Sequence, residues 1–137
     1  MYTHILLPVA MEHNPNADGA MQVAQTLAGE SGKITILNVV ELIPGYVDAH
    51  VPAAVKAENI ETSKAAIKEL ADTYERAEPV VLYGHPANTI LDFAANNEVD
   101  CIVIASHKPG LTDYLIGSTA ARVVRHAQCA VHVVRGA

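Results

Sequence analysis

Four short runs of almost unbroken apolar residues constrain this 137-residue chain more than any other feature: Ile5 to Val9, Ile34 to Val40, Cys101 to Ala105 and Ala130 to Val134. Runs of this length that do not alternate with polar residues are expected of strands covered on both faces. A weaker fifth run, Val80 to Tyr83, follows Pro79 and ends at Gly84. Between the runs lie helical patterns. Asn14-Pro15 offers a cap and a first-turn proline, after which Ala20, Met21, Ala24, Leu27 and Ala28 line one face and Gly29 and Gly32 supply stops. From about Ala54 to Tyr74, Ile60, Ser63, Ile67, Leu70, Ala71 and Tyr74 recur at helical spacing. A third helix is expected from Pro86, with Ile90, Leu91, Phe93 and Ala94 inward, and a fourth from Ser118 or Thr119, with Ala120, Val123, Val124 and Ala127 inward. The order βαβαβαβαβ predicts an α/β fold with an open, mainly parallel sheet and helices on both faces, because parallel neighbours need crossovers and the crossovers cover the sheet.

With no linker, repeat or low-complexity tract, residues 1–137 read as a single domain. Trp is absent and aromatic residues make up only 4% of the chain, so the core must be built from Val, Ile, Leu and Ala. The formal charge of -6 argues against a nucleic-acid surface, whose affinity rests on neutralised phosphates. It leaves room for a local basic patch, which Lys108, Arg122, Arg125, His126, His132 and Arg135 supply. Cys101 and Cys129 read as inert core thiols. No secretory leader and no run of 18 apolar residues is visible, so the expectation is a cytoplasmic protein without membrane insertion.

The segment Ser106 to Gly117 leaves a strand and enters a helix, the place where open α/β sheets bind ligands. Its chemistry suits phosphate: Gly117 permits close approach, Ser118 offers a hydroxyl, the following helix offers free amides, and Lys108 and His107 add charge and a donor. The plainer reading makes Ser118 an N-cap and Gly117 a turn. Gly84-His85-Pro86 repeats the strand, glycine, helix pattern, with His85 a candidate cap. Catalytic and metal signatures are missing: there is no phosphate-binding Gly-rich run ending in Gly-Lys-Ser, no nucleophile elbow, and the seven histidines are scattered. Asp113 reads as a solvated loop residue. No acidic pair follows the first strand, as a phospho-accepting receiver would require, and a small hydrolase would need a base that is not visible.

The runs Ala105-Ser106-His107-Lys108-Pro109, Tyr114-Leu115-Ile116-Gly117-Ser118, Val123-Val124-Arg125-His126-Ala127 and Val131-His132-Val133-Val134-Arg135 resemble the universal stress protein (UspA) family, in particular its short single-domain members of enteric type. That resemblance implies a Rossmann-like, adenine nucleotide alpha hydrolase-like sheet of strand order 3-2-1-4-5 with two helices on each face, and a homodimer formed through the C-terminal strand. It also implies binding of ATP or another adenine nucleotide, with or without Mg2+, at Pro8, Val9, Val39, Gly84, Ser106, His107, Lys108, Gly110, Gly117, Ser118 and Thr119. Nucleotide-binding members carry Gly-x-x-Gly, nine residues, then Gly and Ser or Thr. Here Ala105 and Lys108 replace the first two glycines, the interval to Gly117 is one residue shorter, and Ala10 stands where an Asp commonly meets the base or ribose. Two functions follow: a stress-response nucleotide binder, with slow hydrolysis at most, that signals to an unidentified regulatory partner, or a dimeric regulatory scaffold that binds no nucleotide.

Overall fold

The computed structural model describes residues 2–10, 17–41, 53–106 and 117–135, the side chains of 17, 18 and 53–59 excepted. Along the chain these form β1 (His4–Pro8), α1 (Ala17–Ala28), β2 (Lys33–Glu41), α2 (Ala53–Asp72), β3 (Ala77–Gly84), α3 (Pro86–Asn96), β4 (Cys101–Ser106), α4 (Ser118–His126) and β5 (Ala130–Arg135). The five strands make one parallel sheet of order β3-β2-β1-β4-β5, as the alternation of runs and helices implies. The Asn14-Pro15 helix start lies outside the described residues. Among the described residues, no helix is long and apolar enough to cross a membrane.

The apolar runs are continuous because each strand feeds two cores. Ile5, Leu7, Ile34, Ile36, Cys101 and Val103 pack on one face with Ala20, Met21, Ala24 and Ala28 of α1 and Ile67 and Ala71 of α2. Leu6, Leu37, Ile102 and Ile104 pack on the other with Ala87, Ile90 and Ala94 of α3 and Ala120 and Val123 of α4. Alanine on the helices lets them lie close to β-branched strand residues. One inward expectation is corrected: Val124 is 46% exposed, because the stripe Ala120, Val123, Ala127 sits on the sheet and position 124 is turned away from it by helical geometry.

The third strand is longer than the run that marks it and contains Pro79. Ile34 N–H bonds to the carbonyl of Arg76 (3.0 Å), so in the parallel ladder positions 78 and 80 turn towards β2 and the proline nitrogen turns to the open edge. Arg76 itself has φ 60° and spends its guanidinium on the end of α1: Nε donates to the Gly32 carbonyl (3.0 Å), and the terminal nitrogens donate to the carbonyls of Gly29 (2.6 Å) and Glu30. A cation on these C-terminal carbonyls complements the helix dipole. Gly32 is fixed by close approach, since a Cβ there would stand 2.5 Å from the Ala28 carbonyl oxygen and 2.6 Å from that of Tyr2. At the end of α3, Val99 N–H bonds to the Ala94 carbonyl (3.2 Å) around Glu98 at φ 56°, a Schellman turn closed without glycine.

The starts of β1, β2 and β4 are tied together by polar groups. The Asp100 carboxylate accepts from Thr3 N–H (2.9 Å), Thr3 Oγ1 (3.0 Å) and His4 N–H (3.0 Å), and Asp100 N–H returns a bond to the His4 carbonyl (3.0 Å). The His4 ring is buried between the Asn97 carbonyl, to which Nδ1 donates (2.9 Å), and Thr35 Oγ1, which is hydrogen-bonded to Nε2 (2.8 Å). Partial burial pushes the Asp100 carboxyl upward, but the bonds from Thr3 and His4 outweigh it and hold the group below its ordinary 3.8. A carboxylate depressed in the folded state contributes stability that is complete above its unfolded pKa and is lost as pH falls through the folded one. Asp100→Asn should therefore lower unfolding stability by about 1–3 kcal/mol at pH 7, and the variant's stability should decline less steeply than wild type below about pH 4. Parallel acid limbs in urea titrations of the two proteins would remove Asp100 from this role.

Candidate functional site

The chain runs from β1 through β2 to β3 on one side of the sheet and then crosses to β4 and β5 on the other, so its topological switch point lies between β1 and β4. Ligands of open α/β sheets bind outside the carboxyl ends of the strands at such a point. Alternation along the strands carries Pro8, Val39, Gly84 and Ser106 to the face that α3 and α4 cover, since Leu6, Leu37, Val80 and Ile104 lie there. Val9 turns the other way and packs with α1. The Val9 and Val39 side chains therefore lie on opposite faces of the sheet, and that of Val9 is part of the core.

Val9 is nevertheless held in position through its backbone. Its N–H bonds to the Leu37 carbonyl (2.8 Å), and its carbonyl accepts from Nδ2 of Asn38 (2.8 Å), a side chain only 5% exposed. Asn38 fixes where the chain leaves β1. It was marked in the sequence only as a polar residue inside an apolar run.

Across the switch point, Ser106 is buried at the end of β4 and its Oγ accepts from Gly117 N–H (2.9 Å). That bond places the first residue of the turn into α4. Gly117, not Ser118, is the cap of α4, with φ -64° and ψ 158°, and Ser118 is the exposed first helical residue. This backbone is open to any L-residue, and among the described residues a Cβ at Gly117 would meet only Ser106 Oγ at 4.0 Å. Neither its dihedral angles nor the described neighbours demand a glycine there. Among the described residues no side chain caps α4, and the first intrahelical bond is Ala121 N–H to the Gly117 carbonyl (2.9 Å). Ser118, Thr119 and Ala120 thus have amides without an acceptor among the described residues, at the positive end of the helix. His107, Lys108 and Gly110 lie outside the described residues, as does Asp113.

Gly84 closes β3 and has a steric reason of its own, because a Cβ there would stand 2.7 Å from Oγ1 of Thr89 on α3. His85 caps α3 as expected, its Nδ1 accepting from Asn88 N–H at 3.5 Å. The Asn88 side chain in turn accepts from Nε of Arg122 (3.2 Å), linking α3 to α4. Between the first turn of α3 and the length of α4 lies a cleft of about 670 Å³, lined by residues that include His85, Pro86, Ser118, Thr119, Arg122 and Arg125, with Glu41 from the end of β2. The volume suits a small-molecule ligand. Arg122 and Arg125 belong to the basic patch visible in the sequence, but the link to Asn88 depends on helix packing. The thiols stand apart from the cleft lining: burial pushes Cys101 up to about 11 and raises Cys129 also, which leaves both protonated and unreactive near neutrality.

The universal stress protein family model matches residues 1–135. Universal stress protein G of Salmonella typhimurium is 29% identical, over 98% of this chain and all of its own length. Among solved structures, universal stress protein UspA from Lactobacillus plantarum superposes with a TM-score of 0.77 at 29% identity, over 98% of each chain. A universal stress protein from Archaeoglobus fulgidus, solved in complex with dAMP, shares the fold at a TM-score of 0.65 and 22% identity, covering 97% of this chain and 98% of its own. An Arabidopsis thaliana family protein with AMP bound does so at 0.64 and 15%, covering 98% and 92%.

The contact of Gly84 with Thr89 gives a test of how β3 and α3 meet. Gly84→Ala should destabilise the chain by about 1–3 kcal/mol, because the β-branched Thr89 has few helical rotamers with which to retreat. Thr89→Ala should recover much of that loss in a double-mutant cycle. Additive effects in chemical denaturation would mean that the glycine is not fixed by this neighbour.

Proposed function

Because the chain belongs to the universal stress protein family, we propose that it binds an adenine nucleotide, ATP foremost, and reports occupancy to a regulatory protein partner in the cytoplasm. The observation that carries this reading is the start of α4: Ser106 holds Gly117, the next three amides have no acceptor among the described residues, and Ser118 and Thr119 line a cleft with two arginines. Helix N-termini with free amides favour phosphate, and guanidinium groups supply charge and directed donors. The relatives from Archaeoglobus fulgidus and Arabidopsis thaliana solved with dAMP and AMP support the ligand class. In this reading Gly117, Ser118 and Thr119 receive the phosphates, Lys108, His107 and Gly110 cover them, and the strand ends at Pro8, Val9, Val39 and Gly84 border base and ribose through backbone groups. Among the described residues there is no cluster of three or more metal-ligating side chains, so Mg2+ would enter on the phosphates. No residue is assigned a catalytic role, and hydrolysis is at most slow.

The exposed Ala10 favours the second reading, a regulatory scaffold of the same fold without nucleotide, because it offers no carboxylate beside β1. Native mass spectrometry of gently purified protein separates the two: co-purified nucleotide is expected from the first and none from the second. In calorimetry, Gly117→Val should fold normally, as its φ permits, yet lose most nucleotide affinity because the new side chain covers the amides. Ser118→Ala should cost roughly 0.5–3 kcal/mol of binding, and Lys108→Ala should weaken ATP more than AMP. Absence of binding at millimolar nucleotide, or equal affinity in wild type and Gly117→Val, would replace this site with the scaffold reading.

The assembly we propose is a homodimer through β5. That strand closes the sheet at one edge, where its outward amides and carbonyls need a partner, and antiparallel pairing about a two-fold axis supplies one. Solution scattering at micromolar concentration should give a dimeric mass, reduced by Val133→Pro. A monomeric wild type would sink the assignment.

A further inference from the structure

The cations of α4 are not all absorbed by a site at its first turn. Ser118, Arg122 and Arg125 are spaced by four and three residues, hence on one side of the helix, and all three line the cleft. From Ser118 to Arg125 the stripe spans about 10 Å along the helix. Ser118–His126 contains no acidic residue, and Glu41 is the one carboxylate among the described lining residues. Arg122 is tethered rather than neutralised: Nε donates to Asn88 Oδ1 at 3.2 Å, and its terminal nitrogens meet no acceptor among the described residues. Arg125 has no ion-pair partner among them either. A guanidinium held in place by a neutral amide is preorganised for an incoming anion, with less side-chain entropy left to lose on binding. In a chain of net charge -6, this concave, one-sided gathering of cations suits a short polyanion better than a duplex.

We propose that Arg122 and Arg125 form a second anion subsite, continuous with the helix N-terminus, which takes a linear phosphate chain of four or more phosphoryl groups. It rests on the nucleotide reading for the identity of the ligand's other end, but not for its own chemistry. A chain anchored on the amides of Ser118, Thr119 and Ala120 meets Arg122 next and Arg125 last, and the wall formed by His85 and Pro86 confines it to the cleft. The phosphates can belong to a nucleoside tetraphosphate or to inorganic polyphosphate, and the two are separated by the probes.

The test is calorimetry with ATP, adenosine 5′-tetraphosphate and inorganic tetrapolyphosphate on wild type, Arg122→Gln/Arg125→Gln and Asn88→Ala, with folding checked by circular dichroism. Wild type should bind the tetraphosphate about tenfold more tightly than ATP, the increment of one further charge-assisted contact. The double variant should bind the two alike, while Asn88→Ala, which removes the tether and no charge, should keep a preference for the longer chain. Equal affinities in wild type that binds ATP, or a preference that survives in the double variant, would overturn the subsite and leave the nucleotide reading standing. Arginine-dependent binding of the inorganic chain alone, without either nucleotide, would support the subsite and overturn the nucleotide reading. No binding of any probe by folded protein would overturn both.

Discussion

The carboxylate of Asp100 is the joint from which the rest of the sheet is levelled. It is bonded to the amides of Thr3 and His4, where β1 begins, and it sits one residue before β4, while the His4 ring reaches across to Thr35 on β2. β1 is the central strand and the only one that joins the two halves of the chain's path. A one-residue slip of a strand exchanges its faces, so fixing β1 against both neighbours at one end fixes which side chains arrive where at the other. Because of that register Pro8 and Ser106 end on the same face, and Ser106 is in place to receive the amide that starts α4.

The two faces then divide the work. The side under α1 and α2 is closed by small residues against β-branched strands and holds no described part of the cleft. On the other side α3 and α4 begin close together, and both begin after a strand end, so their positive ends share one space. The His85 cap already occupies the Asn88 amide of α3, and the proline at its first position has none to offer. Among the described residues, the helix-start amides without an acceptor are therefore concentrated on α4. An acidic chain can present an anion site in this way because backbone dipoles and guanidinium groups act within a few ångströms, whereas more distant carboxylates are screened.

Much of this architecture was legible because burial on two faces writes itself as unbroken apolar runs, and helices write themselves at 3.6-residue spacing. The places where the sequence misled are those where a local pattern has two geometric outcomes. Pro79 looked like a boundary, but an edge strand tolerates a proline that faces outward. Ser118 looked like a cap, yet the buried Ser106 hydroxyl bonds the preceding amide and moves the cap to Gly117. Val9 and Val39 end neighbouring apolar runs alike, and only strand alternation shows that their side chains go to opposite faces. Asn38 and Asn88 had no signal beyond their polarity, because their partners are 29 and 34 residues away along the chain. Of the candidate site, the strand-to-helix turn at Gly117 and Ser118 was therefore readable and the supports beneath it were not.

This asymmetry has a physical origin that extends to the chemistry of the cleft. A phosphate site made from a helix end needs little from its side chains, so the proposed one does not depend on glycines where the chain has Ala105 and Lys108. Base recognition depends on particular donors and acceptors at fixed points, and here the chain offers Ala10 and the backbone around Val9 and Val39. Backbone groups held as firmly as the Val9 carbonyl, which is already bonded to Asn38, have limited capacity for a further partner. On the proposed reading, the described cations lie along α4 and away from the strand ends that would border the base, so the number and spacing of phosphates would weigh more than the base.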